Sequence, residues 1–188
     1  MNPVVSPALE RAPDLETRTM NEHMAPPSLI FIRQATPADA ALVDEMVREI
    51  AHHEGTMDAV VATTADWERM LGRADVTVLL AFAGLEPIGY VSMLRRLDLW
   101  LGTDVIGLDD LWIRPLHRNR GAGELLMNAV AELAADDALT VVWGAQLGNE
   151  AAHRFYRRLG AHLTTKVVAA WTPERYLGRR SNRPDVRR

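Results

Sequence analysis

Segments with the hydrophobic pattern of strands alternate with segments that have the pattern of helices between residues 29 and 171. Such alternation restricts the chain to folds in which helices pack against a sheet. The predicted strands cover residues 29–33, 76–82, 88–96, 105–113, 139–145 and 163–171. The predicted helices run from Thr36 to about His53, from Thr63 to about Gly72, from Gly121 to Asp136 and from Asn149 to Leu159.

Short connections join the second, third and fourth predicted strands, and the first of them is a Gly/Pro-containing turn. Neighbouring strands with such short connections form an antiparallel meander. The sequence therefore predicts the α/β class, with a mixed, mostly antiparallel central sheet, flanking helices and the order β-α-α-β-β-β-α-β-α-β.

The two ends of the chain differ in composition from its centre. Residues 1–28 contain five of the ten prolines and lack sustained apolar periodicity, so we expect a flexible N-terminal extension there. Residues 179–188 hold five arginines and one acid, which predicts a solvated Arg-rich tail. Residues 29–178 are long enough for one domain with a full core. No apolar run approaches the roughly 18–20 residues that span a bilayer, so we expect no membrane association.

The predicted domain is acidic, because residues 29–178 hold 14 basic residues against 20 acids. This balance disfavours nucleic acid as a partner and favours a cationic or neutral one. The sequence contains no cysteine, which excludes thiolate catalysis and cysteine-ligated metals. His52, His53 and Glu54 are adjacent, but neighbouring histidines on a helix do not converge on one ion, so we expect no metal. The lack of cysteine and of a visible secretory signal favours a cytoplasmic location.

The most informative segment is the connection between the strand over residues 105–113 and the helix that follows it. This loop holds three arginines, and Gly121 and Gly123 stand at the helix start. Small residues and free N–H groups at a helix N-terminus favour an anion, and Arg118 and Arg120 could add contacts to phosphate. The alternative is a glycine-containing connection with solvated arginines. A dinucleotide fold is disfavoured because Leu126 stands where a third glycine is expected.

Two motifs resemble those of the GNAT superfamily of N-acetyltransferases. Arg118-Asn119-Arg120-Gly121-Ala122-Gly123 resembles the family signature Gln/Arg-x-x-Gly-x-Gly/Ala, and residues 149–161 resemble the family segment Asn-x-x-Ala-x-x-Phe-Tyr-x-x-x-Gly-Ala/Phe. The resemblance covers about residues 29–171. One departure is Asn119, where many members have glycine. The resemblance implies the GNAT fold, acetyl-CoA as acetyl donor and direct transfer to an amine in a ternary complex.

The same resemblance implies a set of residues that bind the donor through the strand, the loop and the later helix. They are Leu111, Trp112, Ile113, Arg118, Asn119, Arg120, Gly121, Ala122, Gly123, Glu124, Asn149 and Ala152. Asn149 could equally cap the helix that it opens, and the two roles can coexist.

Tyr156 is the candidate acid, because the resemblance places it where a tyrosine protonates the coenzyme A thiolate. A phenol keeps its proton near neutral pH and can donate it. The alternative is a core aromatic residue. Asp109 and Asp110 are unusual in an apolar strand, and a regular strand would turn only one of them toward the acceptor cleft. Either could take a proton from the amine.

We prefer Asp109 as the catalytic aspartate, because Leu-Asp-Asp-Leu at residues 108–111 resembles Leu-Glu-Asp-Phe of the polyamine (diamine) acetyltransferase branch. The same likeness places Glu54, Asp109, Asp110 and Trp100 at the acceptor. These residues and the acidic domain favour a small cationic primary amine as substrate. Acetylation of a protein or peptide, and a non-catalytic acyl-CoA sensor, remain alternatives. Many family members pair through C-terminal strands, so the resemblance also implies a homodimer.

Overall fold

The computed structural model describes residues 29–180. Its strands are β1 (Ile30–Gln34), β2 (Val76–Ala83), β3 (Glu86–Asp98), β4 (Thr103–Ile113) and β5 (Thr140–Trp143). Its α-helices are α1 (Ala40–Glu54), α2 (Thr64–Leu71), α3 (Ala122–Ala135), α4 (Glu150–Arg158) and α5 (Pro173–Arg180). Short 3-10 turns occupy Pro37–Asp39, Met57–Ala59 and Pro115–His117. The expectations for residues 1–28 and 181–188 lie outside the described residues.

The sheet has the order β1-β2-β3-β4-β5, in which the first four strands are antiparallel and β5 runs parallel to β4. This confirms the predicted mixed, mostly antiparallel α/β fold. None of the helices in residues 29–180 is long and apolar enough to cross a bilayer.

Each face of the sheet carries its own apolar core. On one face, Leu79, Val91 and Leu108 pack with Leu126 and Val130 of α3. On the other, the core contains Val43, Met46, Val78, Leu80, Tyr90 and Trp112, so α1 covers this face. We call these the α3 face and the α1 face.

A bulge in β4 decides which side chains reach each face. The register pairs Leu108 with Met93 and Asp110 with Ser92, so Asp109 has no partner in β3. One extra residue reverses the alternation of the strand beyond it. Leu108 therefore packs on the α3 face, whereas Asp110 bonds to Tyr90 of the α1 face. The prediction for the two aspartates assumed a regular strand, and β4 is not regular at this point.

The predicted last strand, over residues 163–171, is wrong. Residues 161–172 form no regular secondary structure, and α5 follows them. The Val167 and Val168 side chains are 88% and 90% exposed. Strand propensity is expressed only where a neighbouring strand and a core receive the segment, and residues 29–180 of this single chain provide neither for it. Among the described strands, β5 therefore lies at the edge of the sheet.

Candidate active site

A cleft of about 580 Å³ opens where β4 continues beyond β5. The last pair of the two strands is Leu108 with Trp143, and β4 runs on to Ile113. Eleven of the twelve residues predicted to bind the donor line this cleft, namely Leu111, Trp112, Ile113, Arg118, Asn119, Gly121, Ala122, Gly123, Glu124, Asn149 and Ala152. Arg120 is exposed and does not line it. Two motifs about thirty residues apart in sequence thus meet across one opening.

The loop before α3 takes its shape from two residues with left-handed backbone conformation, Asn119 (φ 60°) and Gly121 (φ 86°). Asparagine and glycine are the residues that adopt this conformation most readily. Asn119 therefore occupies a position where glycine also fits, which accounts for its departure from the family pattern. No side chain caps the N-terminus of α3 at Gly121. The first-turn N–H groups of α3 are thus not satisfied by a side chain, as a phosphate site requires.

Gly123 lets α3 pack closely against α4. A Cβ atom at Gly123 would lie 3.6 Å from Cζ of Phe155 and 3.9 Å from Cγ1 of Ile113, which is ordinary contact. Alanine would fit there, but a larger side chain would meet the Phe155 ring. Packing against α4 therefore limits this position to a small side chain, and the backbone conformation of Gly123 does not require glycine.

Arg118 is held against the wall of the cleft. Its Nε donates a hydrogen bond to the carbonyl of Ile113 at 2.9 Å, and its guanidinium carbon lies 4.6 Å from the centre of the Trp112 ring. A cation over an indole face is attracted by the ring. The side chain is fixed at the mouth of the loop, with its charge available to a ligand in the cleft.

Trp112 is itself tied to α1 through Glu49, a residue that the sequence analysis did not single out. The indole N–H donates to Glu49 at 3.1 Å, and Arg114 donates to the same carboxylate at 2.7 to 3.1 Å. Burial opposes ionisation of Glu49, but hydrogen bonds from Arg114 and Trp112 outweigh it and lower the pKa of Glu49.

A second cleft, of about 720 Å³, lies beside this ion pair and shares Trp112, His53 and His117 with the first. The spacing of Glu45 and Glu49, four residues apart on one helix face, is the signal that could have revealed this cluster.

The opposite wall of the cleft carries Tyr156 and Asn149 on α4. Tyr156 packs edge-on to Trp143 with the ring centres 5.1 Å apart, and burial raises the pKa of its hydroxyl. Its proton is therefore retained at neutral pH and can be donated. Oδ1 of Asn149 accepts from the N–H of Ala152 at 3.0 Å, so Asn149 caps α4 as expected. The amide nitrogen of Asn149 is not used by that cap.

The two aspartates lie on β4 immediately before Leu111, which lines the cleft. Asp110 is partly buried and accepts a hydrogen bond from the Tyr90 hydroxyl at 3.0 Å, while Asp109 is exposed on the bulge. Burial raises the pKa of the Asp110 carboxyl, and the carboxylates of Asp109 and Glu54 raise it further, against hydrogen bonds from Tyr90 and Ser92. Glu54 lines the cleft at the end of α1. Neither aspartate is itself among the residues that line the cleft, and the charges of Asp109 and Glu54 both act on Asp110 beside it.

Trp100 is not brought into this group. It lies in the turn between β3 and β4 and is 98% exposed, and Asp98 holds the turn by accepting from the N–H of Trp100 at 3.0 Å. Thr103 and Asp110 are seven residues apart on β4, which corresponds to about 23 Å. The turn is therefore at the other end of the strand from the cleft.

Within residues 29–180, no group of three histidine, aspartate or glutamate side chains is arranged to hold a metal ion.

A cleft where β4 continues beyond the end of β5, walled by an uncapped helix start and a partly buried tyrosine, fits the acyl-coenzyme A-dependent acetyltransferases as a class. The chain belongs to the acetyltransferase (GNAT) family, whose model matches residues 42–161. The family uses acetyl-CoA, so this is an acetyl-CoA-dependent N-acetyltransferase.

Similar proteins agree with this assignment. The chain is 31% identical over 104 residues to a thialysine N-epsilon-acetyltransferase of Caenorhabditis elegans, covering 55% of this chain and 64% of that protein, slightly less than two thirds of its length. It is 29% identical over 161 residues to the Sus scrofa protein of the same name, covering 79% and 93%. Among solved structures, it resembles an aminoglycoside acetyltransferase bound to a CoA-S-monomethyl-acetylneamine bisubstrate analogue, with a TM-score of 0.63, 20% identity and coverage of 77% and 99%. The last likeness bears on the fold alone.

Proposed function

We propose that this enzyme transfers an acetyl group from acetyl-CoA to the primary amine of a small cationic molecule. The observation that carries the proposal is the grouping of three carboxylates: Glu54 lines the donor cleft, and its charge and that of Asp109 both act on Asp110 beside the cleft. Within residues 29–180 none of the three forms an ion pair with an arginine, and such carboxylates attract an ammonium group and disfavour anionic acceptors. The relatives named for thialysine, whose names specify an N-epsilon amine, support the same substrate class.

Acetyl-CoA supplies the thioester carbon that the amine attacks. The enzyme must remove one proton from the amine and deliver one proton to the departing thiolate. One aspartate, directly or through water, takes the proton from the ammonium group, because only the neutral amine attacks. Tyr156 gives its proton to the departing thiolate from the opposite wall. No residue needs to carry the acetyl group, which agrees with a chain that lacks cysteine. The loop at Arg118–Gly123 and Asn149 hold the donor while these protons move.

The proposal is tested by thiol release from acetyl-CoA with a panel of diamines, lysine analogues, aminoglycosides and peptides. We expect turnover with small cationic amines, and Tyr156→Phe should lower kcat roughly 100-fold while leaving acetyl-CoA affinity nearly unchanged. Tyr176→Phe, which removes a hydroxyl on α5, is the matched control. Turnover only with peptides would assign the protein-acetylating alternative. Tight acetyl-CoA binding without turnover of any amine would assign the sensor.

We also propose that the enzyme acts as a homodimer and that Trp100 reaches an acceptor only in its partner. Three observations support this: β5 is an edge strand among the described strands, the apolar residues Val167 and Val168 are exposed, and the turn that holds Trp100 precedes the end of β4 that is about 23 Å from Asp110 in its own chain. Strand addition at β5 would bury both the edge and the apolar segment.

Light scattering tests the assembly, and mixing tests the role of Trp100. Inactive Trp100→Ala and Tyr156→Phe proteins, mixed under exchange conditions, should regain activity because one site of each mixed dimer has both residues. A monomer in solution, or mixtures that stay inactive, would contradict the dimer proposal. We also propose that the enzyme is cytoplasmic and that it acts without a metal, nucleic acid or a membrane. Activity that survives chelation would support the metal-free mechanism.

A further inference from the structure

A tyrosine hydroxyl is buried beneath the acceptor end of the cleft. Tyr90 lies on β3, has no exposed surface, and pairs in register with Leu80 and Trp112. Its ring belongs to the apolar core of the α1 face. A phenylalanine would fill this core equally well, and a buried hydroxyl without a partner would destabilise it. The hydroxyl therefore needs a reason that packing does not supply.

That reason is its hydrogen bond to Asp110. The Tyr90 hydroxyl donates to Oδ2 of Asp110 at 3.0 Å, and the Asp110 backbone N–H donates to Oγ of Ser92 at 3.2 Å. The two bonds fix the carboxylate from β3 on the side of the sheet that faces Glu54. This arrangement depends on the β4 bulge, because a regular strand would turn Asp110 toward α3.

We propose that Tyr90 is a positioning residue that orients the Asp110 carboxylate toward the acceptor amine. The inference rests on the proposed transfer to a cationic amine, and it adds Tyr90 to the machinery without contact with substrate. It also makes Asp110, rather than Asp109, the aspartate with a fixed direction.

The charges around the pair show why such a donor is needed. Glu49 and Glu54 on α1 and Asp109 on β4 all act on the Tyr90–Asp110 pair, and each opposes a further negative charge. Burial and these carboxylates raise the pKa of both groups, so Tyr90 stays protonated and remains a donor at any working pH. Its bond favours the ionised form of Asp110, which is the form that binds an ammonium group or accepts its proton.

The test compares Tyr90→Phe with wild type, and Tyr176→Phe serves as a matched loss of a hydroxyl elsewhere. Without the bond, the acid limb of the kcat/KM profile should move up by about one pH unit, and KM for the amine should rise about tenfold. Acetyl-CoA affinity measured by calorimetry should stay within about twofold, which also shows that the variant is folded. In an Asp110→Asn background, Tyr90→Phe should have little further effect on KM.

A second measurement needs no turnover. The Asp110 carboxyl can be titrated by carbon NMR in both proteins, and its midpoint should be higher in Tyr90→Phe. An unchanged midpoint, or an unchanged acid limb and KM, would overturn the role of Tyr90 and leave it as a packing residue. A wild-type enzyme that acetylates no amine would instead contradict the proposed function, while the NMR result would still decide whether Tyr90 controls Asp110.

Discussion

The guanidinium of Arg118, in the loop that begins the cofactor cleft, lies on the indole face of Trp112, which is bonded in turn to Glu49 of α1. The donor loop and the helix that bears Glu54 therefore share one aromatic side chain. A substitution on α1 should therefore change the affinity for acetyl-CoA, although α1 lies on the acceptor side of the cleft.

We expect Arg118→Ala to weaken acetyl-CoA binding roughly tenfold, because a fixed cation at the mouth of the loop is lost. Arg118→Lys should recover only part of the affinity, since an ammonium group lacks the planar shape that stacks on Trp112. Calorimetry with acetyl-CoA measures both. Arg154→Ala, an exposed arginine on α4, is the control. Equal losses of acetyl-CoA affinity in Arg118→Ala and Arg154→Ala would mean that the effect comes from net charge and not from the position of Arg118.

Glu49→Gln should destabilise the protein by about 1 kcal/mol at pH 7 and weaken acetyl-CoA binding through Trp112. The pKa of Glu49 is lowered in the folded state, so its charge stabilises the fold above the ordinary value near 4.5. This contribution is lost as pH falls through the lowered pKa. Melting curves from pH 3 to pH 7 should thus show wild type and variant converging in acid.

Glu45→Gln is the matched control for that series. Glu45 also bonds to Arg114, but its side chain is 60% exposed. We expect a smaller change in melting temperature and none in acetyl-CoA affinity. A gap between wild type and Glu49→Gln that persists at pH 3 would mean that shape, not charge, accounts for the effect.

Asn119 should tolerate glycine and reject valine. Its backbone φ of 60° suits asparagine and glycine, whereas a β-branched residue would add about 1–2 kcal/mol of strain or reshape the loop. Acetyl-CoA affinity should be unchanged in Asn119→Gly and clearly reduced in Asn119→Val. Comparable binding by all three proteins would show that this backbone conformation does not matter for the donor.

Asp110→Asn should make the protein more stable near neutral pH and a worse enzyme. Because the pKa of Asp110 is raised on folding, its ionised form destabilises the folded state. That penalty is absent below the ordinary value of 3.8, grows as pH rises toward the raised pKa and is complete above it. We expect a melting temperature about 2–4 °C higher at pH 8 and little difference at pH 3. Higher stability without a loss in amine turnover would remove Asp110 from the chemistry.

The features that the sequence predicted correctly are those with local causes. Thr63 and Asp66 cap α2 within four residues, and Gly121 ends a loop whose signature is contiguous. The missed features join distant parts of the chain. Tyr90 and Asp110 are 20 residues apart, Glu49 and Trp112 are 63 apart, and both contacts depend on strand register and helix placement.

The predicted strand over residues 163–171 failed for a related reason. Its valines favour extended structure locally, but a strand also needs a neighbour whose position no local pattern specifies. The choice between Asp109 and Asp110 was equally non-local, since it depends on how β4 pairs with β3. Resemblance placed both aspartates at the acceptor, and the register alone distinguishes them.

The bulge at Asp109 adds one residue to β4 without disturbing the pairing on either side of it. Asp109 is exposed there and has no partner on β3. Deleting it would leave a regular strand in which Leu108 and Asp110 become neighbours and keep the β3 partners and the faces that they have now. A one-residue deletion at this point therefore removes the bulge and its carboxylate while the register of the sheet is kept.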